Sequence, residues 1–97
     1  MTDTPNAPKT TKIIKVAKTS SIPAVAGAIA NFLREEKEVA VQAVGNSTVL
    51  MAVKAITLAT KYMAEEKVPI LFSAEFFTVG ENKEVYGIRF TVYCLTV

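Results

Sequence analysis

Two transitions from a strand-like to a helix-like pattern, both within residues 15–56, constrain the fold of this chain most strongly. The first is the loop Ala17–Pro23, which leads into a segment with apolar residues at helical spacing. The second is the turn Val44–Ser47, which leads into another such segment. Right-handed crossovers between the strands would place both helices on one face of a single sheet. The pattern therefore predicts a two-layer α/β fold.

The rest of the chain completes this prediction as β-α-β-α-β-β with a mixed four-stranded sheet. Alternating apolar residues indicate two further strands, and the turn Gly80–Lys83 predicts that they form a hairpin. The predicted elements are a strand over 12–17, a helix beginning after Ser20 or Ser21, a strand over 39–44, a helix ending near Ala64, and strands over 68–79 and 83–97. We expect one domain over 12–97, preceded by a disordered polar arm at 1–11.

Small polar residues precede both predicted helices. Ser20 or Ser21 can accept a hydrogen bond from a first-turn amide, and Pro23 lies where its missing N–H costs little. Asn46 or Ser47 can cap the second helix in the same way. Free amides at a helix start also suit a phosphate, so each turn is either a plain cap or an anion site.

The predicted helices differ in how many apolar stripes they carry. The stripe of the first helix consists of Ile22, Val25, Ala26, Ile29, Phe32 and Leu33. Gly27 lies off it, and because a helical glycine costs roughly 1 kcal/mol against alanine, we expect another backbone to pack closely there. The second helix should face the sheet with Val49, Val53, Ile56, Thr60 and Met63.

A second stripe on the later helix predicts an oligomer interface. It consists of Met51, Ala55, Leu58 and Tyr62. A two-layer monomer buries only one stripe of each helix, so we favour a subunit interface over scattered surface residues. The sheet face away from the helices should be polar and solvated, and should carry Lys15, Gln42, Glu75, Arg89, Thr91 and Tyr93. Phe77 is either a packing residue or a stacking surface.

Composition argues against an enzyme. Histidine is absent, which removes the commonest general base and zinc ligand, and the single cysteine, Cys94, lies in an apolar alternating run as a core thiol. The adjacent glutamates at 35–36 and 65–66 point in different directions on a helix and form no acid/base pair. We expect no cofactor, no metal and no small-molecule substrate. With no signal-like or membrane-spanning apolar run, we expect a cytoplasmic protein without membrane contact, with nucleoid association as an option.

Charge is unevenly distributed. Residues 1–21 hold four lysines and one aspartate, whereas the remainder holds seven basic and eight acidic residues. Such an asymmetry marks either a polyanion-facing end or a solvated arm. The candidate phosphate contacts at this end are Lys12, Lys15 and Lys18, and Lys54 on the second helix is a further candidate.

Most of the chain, from Val16 to Tyr93, resembles the bacterial stage V sporulation protein S family and, more distantly, the Alba superfamily of small nucleic-acid binders. The resemblance is carried by Val16-Ala17-Lys18-Thr19-Ser20, Val25-Ala26-Gly27-Ala28-Ile29-Ala30, Leu33-Arg34, Val41-Gln42-Ala43-Val44-Gly45 and Ala52-Val53-Lys54-Ala55-Ile56. It implies a dimer-forming Alba-like fold, a role linked to sporulation, and nucleic-acid contact through Lys18, Thr19 and Ser20, with Lys83 of the hairpin as a looser match. Leu50-Met51 stand where the family usually shows an Asn-Gln pair.

Two functions follow as hypotheses. The first is a non-enzymatic, homodimeric or higher homo-oligomeric regulator of sporulation or development that binds DNA or RNA mainly through phosphates. The second is an oligomeric adaptor or assembly module without strong nucleic-acid binding, which the modest net charge of +2 favours.

Overall fold

The computed structural model describes residues 12–80 and 85–95. In chain order the elements are β1 (Lys12–Lys15), α1 (Ile22–Glu36), β2 (Glu38–Val44), α2 (Asn46–Glu65), β3 (Ile70–Val79) and β4 (Val85–Cys94). This is the predicted β-α-β-α-β-β order, and the predicted fold class is confirmed. The arm predicted at 1–11 lies outside the described residues.

The four strands form one mixed sheet in the order β1-β2-β4-β3. β1 pairs with β2 in parallel, and β4 lies antiparallel to both β2 and β3. The first three strands along the chain therefore run in the same direction and end at the same edge of the sheet. We call this the loop edge, and it carries the strand ends Lys15, Val44 and Val79.

α1 begins as predicted, at a serine cap. The Ser21 side chain accepts a hydrogen bond from the Ala24 amide at 3.3 Å, and Pro23 lies in the first turn. The helix ends at Glu36, and the C-cap residue Lys37 has a left-handed backbone (φ 70°) and donates its N–H to the Leu33 carbonyl. Both ends of α1 are thus set by local residues.

α2 begins differently from the prediction, which placed a cap at Asn46 or Ser47. Its N-cap is Gly45, with φ 97° and ψ 152°, and no side chain in the described part of the chain caps this terminus. The Thr48 hydroxyl instead donates to the Val44 and Gly45 carbonyls. Because few residues other than glycine adopt such a positive φ, Gly45 sets the entry angle of the helix.

Both helices pack on one face of the sheet and against each other, and the core lies between the layers. The largest side chains with less than 2% exposure are Ile29, Leu33, Met63, Val39, Val41 and Val92. The buried side of α2 consists of Thr48, Ala52, Ala55, Ile56, Ala59 and Met63. Three of these six residues are alanines, and α2 contacts both α1 and the sheet.

This packing corrects three predictions about the helix faces. Val53 and Thr60 were expected to face the sheet, but Val53 is 37% exposed and Thr60 is exposed. Ala55, assigned to the outer stripe, is 1% exposed and lies in the core. A Cβ built on Gly27 would meet nothing within 4 Å, so within residues 12–80 and 85–95 no backbone packs closely there.

The helix-side surface of β3 is largely uncovered, since the main helix–strand contacts are made with β1, β2 and β4 and most of β3 is exposed. Three aromatic residues are exposed on this side of β3 and the adjoining start of β4: Phe72 at 48%, Phe76 at 77% and Tyr86 at 62%. Phe72 packs edge-on against the core residue Phe90, and Phe76 packs edge-on against Tyr86. We call these three residues the aromatic face.

Candidate nucleic-acid interface

The loop between β1 and α1 presents Lys18 and Thr19 at an exposed turn. The Ser20 amide donates to the Ala17 carbonyl at 2.9 Å, and the Ala17 amide donates to the Ser20 hydroxyl oxygen at 2.9 Å. This reciprocal pair closes the turn, so Lys18 and Thr19 project from a defined backbone next to the loop edge. The Ser20 hydroxyl accepts within the turn and keeps its own hydrogen for another acceptor.

The two helix starts differ in how many amides they offer to an anion. At α1, Pro23 has no N–H and the Ala24 amide is bonded to Ser21. At α2, no described side chain caps the terminus, so the amides of Asn46 and Ser47 face no side-chain acceptor. The positive end of a 20-residue helix is thus open at the loop edge, where it favours negative charge.

Lys12 and Lys15 point to opposite faces of β1. Lys12 is in register with Val39, a core residue on the helix side, whereas Lys15 is in register with Gln42 on the other side. Successive side chains alternate along a strand, so the two lysines cannot act on the same surface. Lys54 is exposed on α2, in the helix layer.

The structure therefore places the predicted contacts in separate groups. Lys15, Lys18, Thr19 and Ser20 lie at or beside the loop edge, while Lys12 begins β1 at the other end of the strand and Lys54 lies on the helices. Lys83 lies outside the described residues. Val79 and Val85, which flank its segment, pair with each other at the loop edge.

A row of polar side chains crosses the sheet on the face away from the helices, which we call the open face. Adjacent strands place Lys15, Gln42, Arg89 and Glu75 in register. Arg89 Nη1 donates to Glu75 Oε2 at 3.2 Å. With the Gln42 amide oxygen oriented toward it, Arg89 also donates from Nε at 3.1 Å and from Nη2 at 3.2 Å. The predicted position of these polar residues on the open face is confirmed, but the face is not polar throughout, since Ile13 and Leu71 on it are 54% and 48% exposed.

The aromatic ring of Phe77 lies beside this row. The guanidinium carbon of Arg89 lies 4.9 Å from the centroid of the Phe77 ring, within the range of a cation–π contact. A cleft of about 460 Å³ adjoins the ring at the loop edge. Its lining consists of Lys15, Val16, Gln42, Ala43, Val44, Phe77, Thr78, Val79 and Gly80.

Sequence reasoning did not name Gln42 and Arg89 as site residues. Their alternation along β2 and β4 placed them on the open face, but their alignment with Lys15 depends on the register between strands distant in sequence. A polar residue in each of several neighbouring strands is the signal that could have suggested the row.

The bidentate ion pair of Arg34 and Glu66 lies at the other end of the molecule, where α1 and α2 end. Arg34 Nε donates to the two carboxylate oxygens of Glu66 at 3.1 and 2.9 Å, and its Nη1 donates to Asn31 Oδ1 at 2.8 Å. The hydrogen bonds to Glu66 raise the pKa of Arg34, and those from Arg34 lower the pKa of Glu66. This pair links the two helices.

Two other kinds of feature are not found in the part of the chain that the structure describes. Over residues 12–80 and 85–95 no helix combines the length and apolarity needed to cross a bilayer. Within the same ranges, cysteine and carboxylate side chains form no group of three or more that could hold a metal ion.

Comparison with solved structures supports the fold. Alba from Thermoplasma volcanium superposes with a TM-score of 0.52, and the match covers 84% of this chain and 99% of that one. Sequence identity is 20%, so the likeness concerns the architecture. The Alba-like fold expected from the sequence is thereby confirmed.

Comparison with protein families supplies the identity. The family model of "Stage V sporulation protein S (SpoVS)" matches residues 12–95, which include every described helix and strand. The resemblance seen in the sequence is thereby confirmed: this chain belongs to the stage V sporulation protein S family.

Proposed function

We propose that this protein is a non-enzymatic, nucleic-acid-binding regulator of sporulation or development that contacts phosphates at its loop edge. The contacts are made by Lys15 and Lys18, with the hydroxyls of Thr19 and Ser20 beside them. Lys12 and Lys54 act at most as peripheral charges, because they lie on other surfaces.

The observation that carries this proposal is the pair of exposed lysines at the loop edge. Lys15 and Lys18 are exposed, and among residues 12–80 and 85–95 neither has an ion-pair partner. Arg89, by contrast, is bonded to Glu75. No carboxylate within residues 12–80 and 85–95 pairs with these two lysines, and they lie at the same edge as the start of α2, which no described side chain caps. Both features favour a phosphate group.

Salt dependence tests this proposal. The logarithm of the binding constant should fall with the logarithm of salt concentration by about 0.9 for each phosphate neutralised on a duplex and about 0.7 on a single strand. Lys15→Gln and Lys18→Gln should each weaken binding. Each should also reduce the magnitude of that slope by the amount of one phosphate contact per protomer, about 0.9 on a duplex and about 0.7 on a single strand. Fluorescence anisotropy with duplex DNA, single-stranded DNA and RNA measures both quantities.

Lys61→Gln is the matched control. Lys61 is exposed near the end of α2, 15 residues beyond Asn46, and a helix rises 1.5 Å per residue, so it lies about 22 Å from the loop edge. It should leave the slope unchanged. Binding that does not respond to salt, or that responds equally to Lys61→Gln and Lys15→Gln, would contradict the proposal.

The aromatic face favours assembly as a second function. Phe72, Phe76 and Tyr86 expose large apolar surfaces side by side, which monomeric proteins seldom do without a partner. Leu50 and Val53 of α2, on the same side of the sheet, are 54% and 37% exposed. We propose that a second copy of the chain covers this surface, since a homodimer would also double the lysines available to nucleic acid.

Paired variants separate this surface from the stripe predicted on α2. In that stripe, Met51, Leu58 and Tyr62 are half-buried and pack against the chain's own core. Phe76→Ser should therefore dissociate the oligomer, while Leu58→Gln should mainly lower stability. Light scattering coupled to size exclusion measures the mass. A monomeric wild-type protein, or dissociation by Leu58→Gln alone, would exclude the aromatic face as the interface.

A further inference from the structure

We propose that the cleft on the open face binds an unpaired nucleobase stacked on Phe77, so that the protein prefers single-stranded nucleic acid to duplex. This inference rests on the proposed function and names its substrate class. It is carried by the position of one ring, by the composition of the cleft around it, and by the shortage of free positive charge on this face.

The Phe77 ring lies against two residues of the neighbouring strand β4, Gly87 and Arg89. Phe77 is in register with Gly87 on β4, and a Cβ built on Gly87 would lie 2.7 Å from Cε1 and Cζ of the ring. The ring therefore occupies the space that a side chain at position 87 would fill. Arg89 lies over the ring at 4.9 Å from its centroid. Phe77 is partly exposed and lines the cleft, so part of the ring is accessible to a ligand.

The cleft beside Phe77 has the size and lining of a small-ligand site. Its volume of about 460 Å³ falls within the range of about 300–1,000 Å³ usual for such sites. Val44 and Val79, which are 39% and 40% exposed, give it apolar walls together with the ring. A flat aromatic heterocycle fits walls of this kind.

Two polar side chains in the cleft match the rest of a nucleotide. When the oxygen of the Gln42 amide faces Arg89, the NH₂ group keeps two donors for acceptors on a base edge. Lys15 lines the same cleft and carries a positive charge that suits the phosphate attached to that base. Stacking, an edge contact and a charge contact are thus available within one cleft.

Charge on the open face favours a single strand over a duplex. Glu75 offsets Arg89, and Lys15 is the one cation of the cross-sheet row without an ion-pair partner among the described residues. A duplex offers this surface phosphates and the base edges in its grooves, but no exposed base face, because its bases are already paired and stacked. A single strand also offers exposed base faces, and loss of one stacked base typically weakens binding about 5- to 150-fold.

The test compares strands and side chains in one set of titrations. The 97-residue chain is titrated into labelled oligo(dT), oligo(rU) and a duplex of equal length at constant salt, with anisotropy as the readout. Phe77→Leu should weaken single-strand binding about 5- to 150-fold and change duplex binding less than twofold. Phe77→Tyr, which keeps the ring, should bind as the wild type does.

Tyr93→Leu is the matched control, since Tyr93 lies on the same face as Phe77 but pairs with Glu38 and Leu71 at the opposite end of the sheet from the loop edge. It should leave single-strand affinity unchanged. Fluorescence of 2-aminopurine within the single strand should be quenched by the wild type and by Phe77→Tyr, because stacking on a ring quenches it. This readout decides the question even if Phe77→Leu fails to fold.

The results of these titrations distinguish failure of the base site from failure of the proposed function. Salt-sensitive binding with equal affinity for duplex and single strand, no effect of Phe77→Leu, or absence of quenching overturns the base site and leaves the proposed function standing. Absence of binding to all three probes overturns both. Selective loss of single-strand binding in Phe77→Leu, with quenching by wild type, supports the base site.

Discussion

Because Gly87 has no Cβ, the Phe77 ring can lie against β4 on the open face. A Cβ on Gly87 would lie 2.7 Å from two carbons of Phe77 and 2.8 Å from the carbonyl oxygen of Ala43. The first contact could be relieved by moving a side chain, but the second involves the backbone of the neighbouring strand. A single hydrogen in place of a methyl group therefore permits both the ring position and the β2–β4 pairing.

We predict that Gly87→Ala destabilises the protein by about 1–3 kcal/mol, the usual cost of overpacking. The added methyl group must displace either the Phe77 ring or the β2 backbone. Urea-induced unfolding measures the change. A free energy of unfolding equal to that of the wild type would show that the ring moves aside freely.

Gly27 should give the opposite result. It lies within α1, and a Cβ there would meet nothing within 4 Å. Gly27→Ala should therefore stabilise the protein by up to about 1 kcal/mol, through the higher helix propensity of alanine. The same urea titration measures it. Destabilisation would indicate that Gly27 packs against something other than residues 12–80 and 85–95.

At the scale of elements, the helix layer is joined at one end by a side-chain clamp. Arg34 lies in the last turn of α1, and Glu66 directly follows α2. Their bidentate contact, with Asn31 as a third partner, connects the ends of two elements that are far apart in sequence. Since its pKa is lowered by Arg34, Glu66 makes this connection sensitive to acid.

The expected pH dependence follows from the direction of that pKa change. A carboxylate whose pKa is lowered on folding adds stability above its unfolded pKa and loses it as pH falls through the folded value. Glu66→Gln should thus lower the melting temperature at pH 7, and the deficit should shrink below pH 4.5, the ordinary pKa of this group.

Glu65→Gln is the control for this measurement. Glu65 is the exposed neighbour of Glu66, and no ion pair within residues 12–80 and 85–95 involves it. Its melting temperature should follow that of the wild type across the pH range. A deficit of Glu66→Gln that persists unchanged at pH 3 would mean that the contact acts by packing and not by charge.

At the scale of the whole molecule, the open face and the aromatic face lie on opposite sides of the sheet. β3 and β4 contribute to both, because alternate residues such as Phe76 and Phe77 point in opposite directions. Covering one side by a second copy therefore leaves the other side, with Lys15 and the cleft, available to a nucleic acid.

Assembly and binding should therefore be coupled. If Phe76→Ser produces a monomer, each complex should contain half as many lysines, and the slope of log affinity against log salt should fall by about half. Anisotropy titrations on samples of measured mass test this. A monomeric variant with the full wild-type slope would show that one protomer makes all the phosphate contacts.

The predictability of the fold and of the site differed for a physical reason. Periodicity and caps are local, so the order of elements, a cap at Ser20 or Ser21 and the polar residues of the open face could all be predicted from the sequence. The exposure of Val53 and the burial of Ala55 could not. They depend on how far α2 rotates when α1 packs against it, and a helical pattern with two apolar stripes permits either orientation.

The site shows the same division. Lys15 and Lys18 were identifiable from charge and from their position before a helix. The neighbours of Lys15 could not be identified from the sequence. Gln42, Arg89 and Phe77 are brought near it only by the pairing of strands separated by up to about 70 residues. The start of α2 could not be predicted correctly either, because Asn46 and Ser47 are ordinary capping residues and yet neither caps this helix.

By itself, the sequence determined the class of fold, the direction of the strands at the loop edge and the charge collected there, because periodicity, turn chemistry and crossover handedness act along the chain. Only the tertiary structure decided which lysines share a surface, which side of α2 is buried, and that Phe77 fills the space over Gly87. Those outcomes depend on strand register and helix rotation, which are fixed when distant segments pack together.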